Sequence, residues 1–184
     1  MQKFEVKEYP WGGEYRPETT AWLDFKEGKG FEVRMRCEEQ EIRAQYTQND
    51  DPVYEDSCME CFLQLYPNES DAYLNFEVNA NGAMHCQVGT GKYDRECLAQ
   101  KGISLPVVTT QKGEGFWEVS YFIPLELIKS VYGKADLSRG TIIRGNFYKC
   151  GDETRYPHFG CWARIENETP NFHLPKYFGE ITLT

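Results

Sequence analysis

The chain has 184 residues, enough for one sizeable core, and its 29 acidic against 20 basic side chains leave a formal charge of -9. With no Lys/Arg run to offset that charge, phosphate backbones and anionic membrane surfaces are repelled, which excludes nucleic acid and membrane as partners. No apolar run is long enough to span a bilayer, and Met-Gln-Lys-Phe-Glu-Val-Lys-Glu at the N-terminus lacks the apolar stretch of a signal peptide; the expected location is cytoplasmic, or secreted if a leader has been cut away.

Period-two alternation runs along most of the chain and predicts strands. After the turn Glu27-Gly28-Lys29-Gly30, apolar Phe31, Val33, Met35 and Cys37 alternate with Glu32, Arg34 and Arg36. Met59, Cys61, Leu63 and Leu65 alternate with Glu60, Phe62, Gln64 and Tyr66. Cys58 and Cys61 make a C-x-x-C, but on a strand that spacing points the thiols to opposite faces, so they neither bridge nor chelate together. The 7 cysteines are an odd number, so at least one is free or pairs between chains. Cys37, Cys86, Cys150 and Cys161 read as small buried apolar residues.

Beyond the turn Pro67–Asp71, Leu74, Phe76 and Val78 alternate with Tyr73, Asn75, Glu77 and Asn79. The turn Asn79-Ala80-Asn81-Gly82 leads to Met84, Cys86 and Val88, which alternate with His85 and Gln87. Trp117, Val119, Tyr121 and Ile123 form a further strand pattern. A helix is predicted over Pro124 to Tyr132, because Pro124 suits a first turn and Gly133 a C-terminal cap. Ile143 and Phe147 alternate with Arg144, Asn146 and Tyr148. Many short half-buried strands, one short helix, no repeat and no linker predict an all-β chain. It folds as an antiparallel two-sheet β-sandwich in a single domain over 1–184.

The segment Trp162 to Gly179 stands apart. Pro170 and Pro175 keep it out of helix and central strand, so it is a stiff loop bearing Phe172-His173, near Trp162 and Tyr177. Its rings either anchor the loop under the sandwich edge or recognise a flat, partly apolar ligand such as a sugar ring. The polar faces of three strands carry Glu60, Phe62 and Gln64, then Tyr73, Asn75, Glu77 and Asn79, then Arg144, Asn146 and Tyr148. Such a face is either solvated or, closed by the loop, a hollow whose acids, amides and guanidinium answer vicinal hydroxyls.

The motifs D-S-x-x-E-x-F-L at 56–63, Y-L-N-F-E-V-N-A-N-G at 73–82 and W-E-V-S-Y-F-I-P at 117–124 occur in that order. They continue with R-G-N-F-Y-K-C at 144–150 and P-N-F-H-L-P-K-Y-F-G-E-I-T-L at 170–183. In this order and spacing the chain, from about residue 20 to its end, resembles carbohydrate-binding module family nine within the wider group of DOMON-like sandwiches. The resemblance implies a non-catalytic β-sandwich that binds glucan and xylan ends or small sugars in a polysaccharide-catabolism setting, and that carries structural calcium. It further implies a ligand held between two aromatic rings. Phe172 stands where such modules place a tryptophan, and Tyr54 or Trp162 is the candidate for the second ring. Asp56, Glu60, Glu77, Asn79, Arg144 and Asn146 are the expected polar contacts, with His173 as an added neutral donor. For calcium, Asn49-Asp50-Asp51, Glu69 with Asp71, and Asp152-Glu153 are the candidate oxygen donors. Three other readings compete: glycoside hydrolysis by Glu60 and Glu77, haem binding through Met35, Met84, His85, His158 or His173, and an interaction module with no small ligand.

Overall fold

A computed structural model describes residues 1–184. The strands in chain order are β1 (Gln2–Val6), β2 (Glu8–Gly12), β3 (Thr19–Lys26), β4 (Gly30–Glu38), β5 (Cys58–Gln64), β6 (Tyr73–Asn79) and β7 (Met84–Gly89). They continue as β8 (Glu96–Cys97), β9 (Thr109–Gly113), β10 (Phe116–Pro124), β11 (Ile142–Cys150), β12 (His158–Cys161) and β13 (Gly179–Thr182). One α-helix, α1 (Leu125–Tyr132), follows β10. It ends where predicted: Gly133 adopts φ 74° and its N–H donates to the Lys129 carbonyl, closing the last turn.

The strands form two antiparallel sheets. One is five-stranded in the order β1-β3-β4-β10-β9. The other is eight-stranded, β2-β12-β11-β5-β6-β7-β8, with β13 added to β11. Alternation explains how they meet. Phe31, Val33 and Met35 of β4 sit opposite Ile123, Tyr121 and Val119 of β10. These side chains face Met59, Cys61 and Leu63 of β5 and Leu74, Phe76 and Val78 of β6 in one core of 32 buried residues. Cys58 and Cys61 fall on opposite faces of β5, and all seven cysteines are free.

The larger sheet departs from the half-buried pattern. Every residue of β5 and β6 is buried on both faces. Two segments cover the outer face: the chain before β5, and the C-terminal run between β12 and β13. Ile165, Phe172 and Phe178 of that run join Phe62, Tyr73 and Tyr148 in a second apolar cluster of 12 buried residues. Trp11 fastens the run by donating from Nε1 to the Asn167 carbonyl at 2.7 Å. Phe172 stacks on Tyr148 with centroids 4.1 Å apart and planes 10° apart.

One inward-facing charge interrupts the main core. Lys149 of β11 is fully buried, with Nζ 3.3 Å from Glu39 Oε2 and 2.7 Å from His158 Nε2. Trp117 Nε1 also donates to Glu39, at 2.8 Å, and so does the Ser57 hydroxyl, at 3.0 Å. His158 donates from Nδ1 to the Tyr156 carbonyl (2.7 Å), and burial holds its pKa down at about 4, so the neutral ring accepts from Lys149.

Candidate functional site

Register places the polar residues of the three central strands on one face. Glu60 lies opposite Glu77 and Tyr148, Phe62 opposite Asn75 and Asn146, and Glu77 opposite His85. The C-terminal segment lies over this face and leaves one hollow of about 440 Å³ uncovered near the β7 side. That volume lies within the range of small-molecule pockets.

Glu60 and Glu77 form its floor with Cys150, whose Sγ donates to Glu60 Oε1 at 3.0 Å. Burial, then Cys150 and the nearby Glu77 carboxyl, push the pKa of Glu60 well above the usual carboxylate range. Burial also raises Glu77, against the opposing pull of His85, an Asn75 hydrogen bond and Arg95. Asn75 Nδ2 donates to Glu77 Oε1 at 2.6 Å, while its carbonyl oxygen accepts from the Arg95 guanidinium. Arg95 is held in place by donating to Gln87 Oε1 (3.1 Å) and by lying 4.6 Å from the centroid of the Tyr73 ring. Lys92 adds a second cation to this wall.

The opposite rim is aromatic and acidic. Tyr54, Phe159 and Phe172 present rings, Asn171 an amide, and Asp152 a carboxyl that burial raises to about 6. His173 sits with Nδ1 2.9 Å from the Tyr73 hydroxyl and its ring 5.0 Å from that of Phe62. Burial, helped by Arg95, lowers its pKa to about 3, so it is neutral and offers one donor and one acceptor.

Of the ten expected contacts, Tyr54, Glu60, Glu77, Phe172 and His173 line this hollow. The other five do not converge with them, and each is occupied elsewhere. Asp56 Oδ2 accepts from the backbone N–H groups of Gln45 (2.9 Å) and Tyr46 (3.0 Å) and from Asn79 Nδ2 (2.9 Å). Asn79 Oδ1 accepts from the N–H groups of Asn81 and Ala83, which closes the β6–β7 turn. Asn146 exchanges hydrogen bonds with the backbone of Ala163, and Arg144 donates to the Lys176 and Phe178 carbonyls, so both fasten the C-terminal segment. Trp162 packs into the main core, 4.8 Å from the Phe4 ring and tight against Gly179. Sequence reasoning missed Lys92 and Arg95, and took Asp152 for a calcium donor rather than part of the hollow, because all three lie on loops outside any periodic run.

The acid-rich turns do not gather an oxygen cage. Asp51 accepts from the Gln48 N–H, Glu69 pairs with Lys134, and Asp152 lines the hollow. No three carboxylates converge; the two places where three metal-capable side chains meet each include cysteine, a donor poorly suited to calcium. Of the haem candidates, Met35 and Met84 point into the core, His85 and His173 line the hollow on the other face, and the buried His158 is already bonded through both ring nitrogens, to Lys149 and to the Tyr156 carbonyl. A second depression, of about 520 Å³ beside Tyr66 and Tyr132, includes the exposed Lys134–Glu69 pair and has no buried carboxylate at its base.

The architecture is thus a β-sandwich with one ligand-sized hollow on the covered outer face of its larger sheet. The chain belongs to carbohydrate-binding family 9, whose sequence model matches residues 2–183. A crystal structure of a proposed carbohydrate-binding protein from Bacteroides uniformis is 27% identical, with a TM-score of 0.84 over 100% of this chain and 86% of that one. Two structures of a family 9 module from Caldicellulosiruptor kristjanssonii, one with glucose and one with cellotriose, share the fold. The glucose complex is 15% identical with a TM-score of 0.66, covering 100% of this chain and 84% of that one. The cellotriose complex is 14% identical with a TM-score of 0.66, covering 99% and 82%. No curated protein sequence matches the chain. No helix is long and apolar enough to cross a membrane.

Proposed function

We propose that this protein binds a mono- or oligosaccharide, or a polysaccharide chain end, in the hollow floored by Glu60 and Glu77, and does not cleave it. The observation that carries the reading is the Glu60–Glu77 pair itself: two buried carboxyls opening onto one hollow, flanked by Arg95 and by aromatic rings. Carboxylates accept from sugar hydroxyls, Arg95 and Asn171 donate to them, and the exposed Tyr54 and the edge of Phe172 offer apolar surface to the C–H face of a pyranose. Family membership supports the ligand class, and the glucose and cellotriose of the Caldicellulosiruptor modules supply its first candidates.

Hydrolysis needs two carboxyls flanking a scissile bond, roughly 5–5.5 or 6.5–9.5 Å apart. Glu60 and Glu77 rise side by side from neighbouring strands of one floor, and what supports the non-cleaving reading is family membership rather than their spacing. In a thermal-unfolding panel of glucose, xylose, cellobiose, xylobiose and galactose, at least one sugar raises the melting temperature. An interaction module without a small ligand shows no shift for any of them. Incubation with xylan or cello-oligosaccharides releases no reducing sugar; release would turn the reading toward an enzyme.

A further inference from the structure

We propose that Asp50, His85 and Cys97 form a site for a borderline-soft divalent cation of the zinc type, beside the saccharide hollow. A carboxylate oxygen, an imidazole nitrogen and a thiol sulfur from these residues lie within 4.8 Å of one another. His85 Nδ1 and Asp50 Oδ1 are 3.6 Å apart, too far for a hydrogen bond. Both atoms are shielded from solvent and neither has a hydrogen-bond partner, an expensive state for a buried acceptor. Zinc bonds of about 2.0–2.3 Å to O, N and S put tetrahedral ligand atoms roughly 3.3–3.8 Å apart, and the Asp50–His85 pair, at 3.6 Å, has that separation. One ion would satisfy both orphaned atoms at once.

The scaffold is rigid. His85 belongs to β7, and Cys97 to β8, where it faces Gln87 of β7. Asp50 is tied to β7 by its N–H, which donates to the Met84 carbonyl at 3.0 Å, while Asn49 Oδ1 accepts from the Met84 N–H. Asp50 is also the one non-glycine residue with positive φ, at 64°. A mixed N, O, S donor set favours zinc over calcium or magnesium. Three protein ligands leave a fourth position for water or for a ligand hydroxyl, and His85 borders the hollow from which either would come. Binding releases the Cys97 thiol proton to solvent. Cys97 Sγ accepts from Gln87 Nε2 at 3.3 Å, a bond from outside the three donors; in the other cluster, Cys58, Glu60 and Cys150, two of the donors bond each other through Cys150 and Glu60, and burial pushes the Cys58 thiol up to about 11.

The test uses the full chain stripped with a chelator, then titrated calorimetrically with zinc chloride and spectroscopically with cobalt(II). One ion binds per chain, and cobalt gives a sulfur-to-metal charge-transfer band in the near ultraviolet. Cys97→Ser abolishes that band; Cys97→Ser and Asp50→Asn each weaken zinc by at least about tenfold, since even outer-shell changes cost that much. Cys58→Ala, which disables the other cluster, changes neither result. Absence of stoichiometric zinc binding, survival of the band in Cys97→Ser, or its loss in Cys58→Ala overturns the proposal. Thermal unfolding of each variant separates loss of the site from loss of the fold.

Discussion

Glu60 and Glu77 are direct cross-strand partners between β5 and β6, and they are 2% and 4% exposed. Like charges in such a pair oppose folding, and burial raises the cost of ionising either one. Perturbed carboxyls that face a cleft mark a place where the fold gives up stability for a ligand. Asn75 and Arg95 hold Glu77 from the side, and Cys150 holds Glu60 from below.

Replacing Glu60 should therefore stabilise the fold at neutral pH. Its folded pKa lies above the unfolded one, so the native state binds more protons between the two and stability falls as pH rises through that window. Glu60→Gln keeps an acceptor for Cys150 and removes the charge. Urea unfolding should show it more stable than the parent by about 0.2–1 kcal/mol near pH 7, the scale of an opposed cross-strand pair. The gain should vanish below about pH 4, where unfolded glutamate is itself protonated. A less stable Glu60→Gln at pH 7 would mean that the carboxylate has a partner other than those described.

Asp152 should make saccharide affinity depend on pH. Burial, then Glu77, raise its pKa to about 6. As an anion it accepts hydroxyl hydrogens, so a bound sugar favours the charged form, and protonation competes with binding. Affinity should weaken as pH falls through about 6, and Asp152→Asn should flatten that limb. Calorimetric titrations at about pH 5 and about pH 7.5 check this, and an unchanged slope in Asp152→Asn would remove Asp152 from the contact set.

Asp56 and Asn146 should behave as structural groups. Each charge-assisted bond to Asp56 contributes about 1.5–3 kcal/mol, so Asp56→Ala should lose more than about 2 kcal/mol. Asn146→Ala should loosen the C-terminal segment it ties to β11. Neither should alter the sugar affinity of the folded fraction at low temperature, measured by calorimetry on material shown to be folded.

Lys149 and Glu39 make a buried pair at 0% and 1% side-chain exposure. Lys149→Ala leaves the buried Glu39 without its counter-ion, which should cost about 3–5 kcal/mol in urea unfolding. Changing both, to Lys149→Met with Glu39→Gln, should recover much of that loss, because desolvation of the pair is then removed as well.

The sandwich was legible because β4, β5, β6, β7, β10 and β11 each carry an apolar set at period two, and Gly133 marks the helix end. β3 carries the same signal in Ala21, Leu23 and Phe25 before the Glu27–Gly30 turn, whereas β8 has only two residues and no period to detect. Burial of both faces of β5 was not legible, because the covering segment lies more than a hundred residues downstream. The site was legible only in part. Glu60 and Glu77 follow from face parity, whereas Asp56 has the same chemistry and sits in the same motif as Glu60 but is consumed by backbone N–H groups. Arg95 and Asp152 reach the hollow through loop geometry, which no spacing encodes. Lys149 interrupts an inward row, and its partner Glu39 is distant in sequence.

The most direct measurement is calorimetric titration of cellobiose and glucose into the parent chain, Glu77→Ala and Phe172→Ala, each confirmed as folded. Saturable binding to the parent at one site, with affinity reduced at least about tenfold in Glu77→Ala by loss of a charged hydrogen bond, is the expected result. Phe172→Ala should weaken it too, because the ring that anchors the loop on Tyr148 and offers its edge to the hollow is lost. Sugar binding of parental strength in both variants would contradict the assignment of the ligand to this hollow.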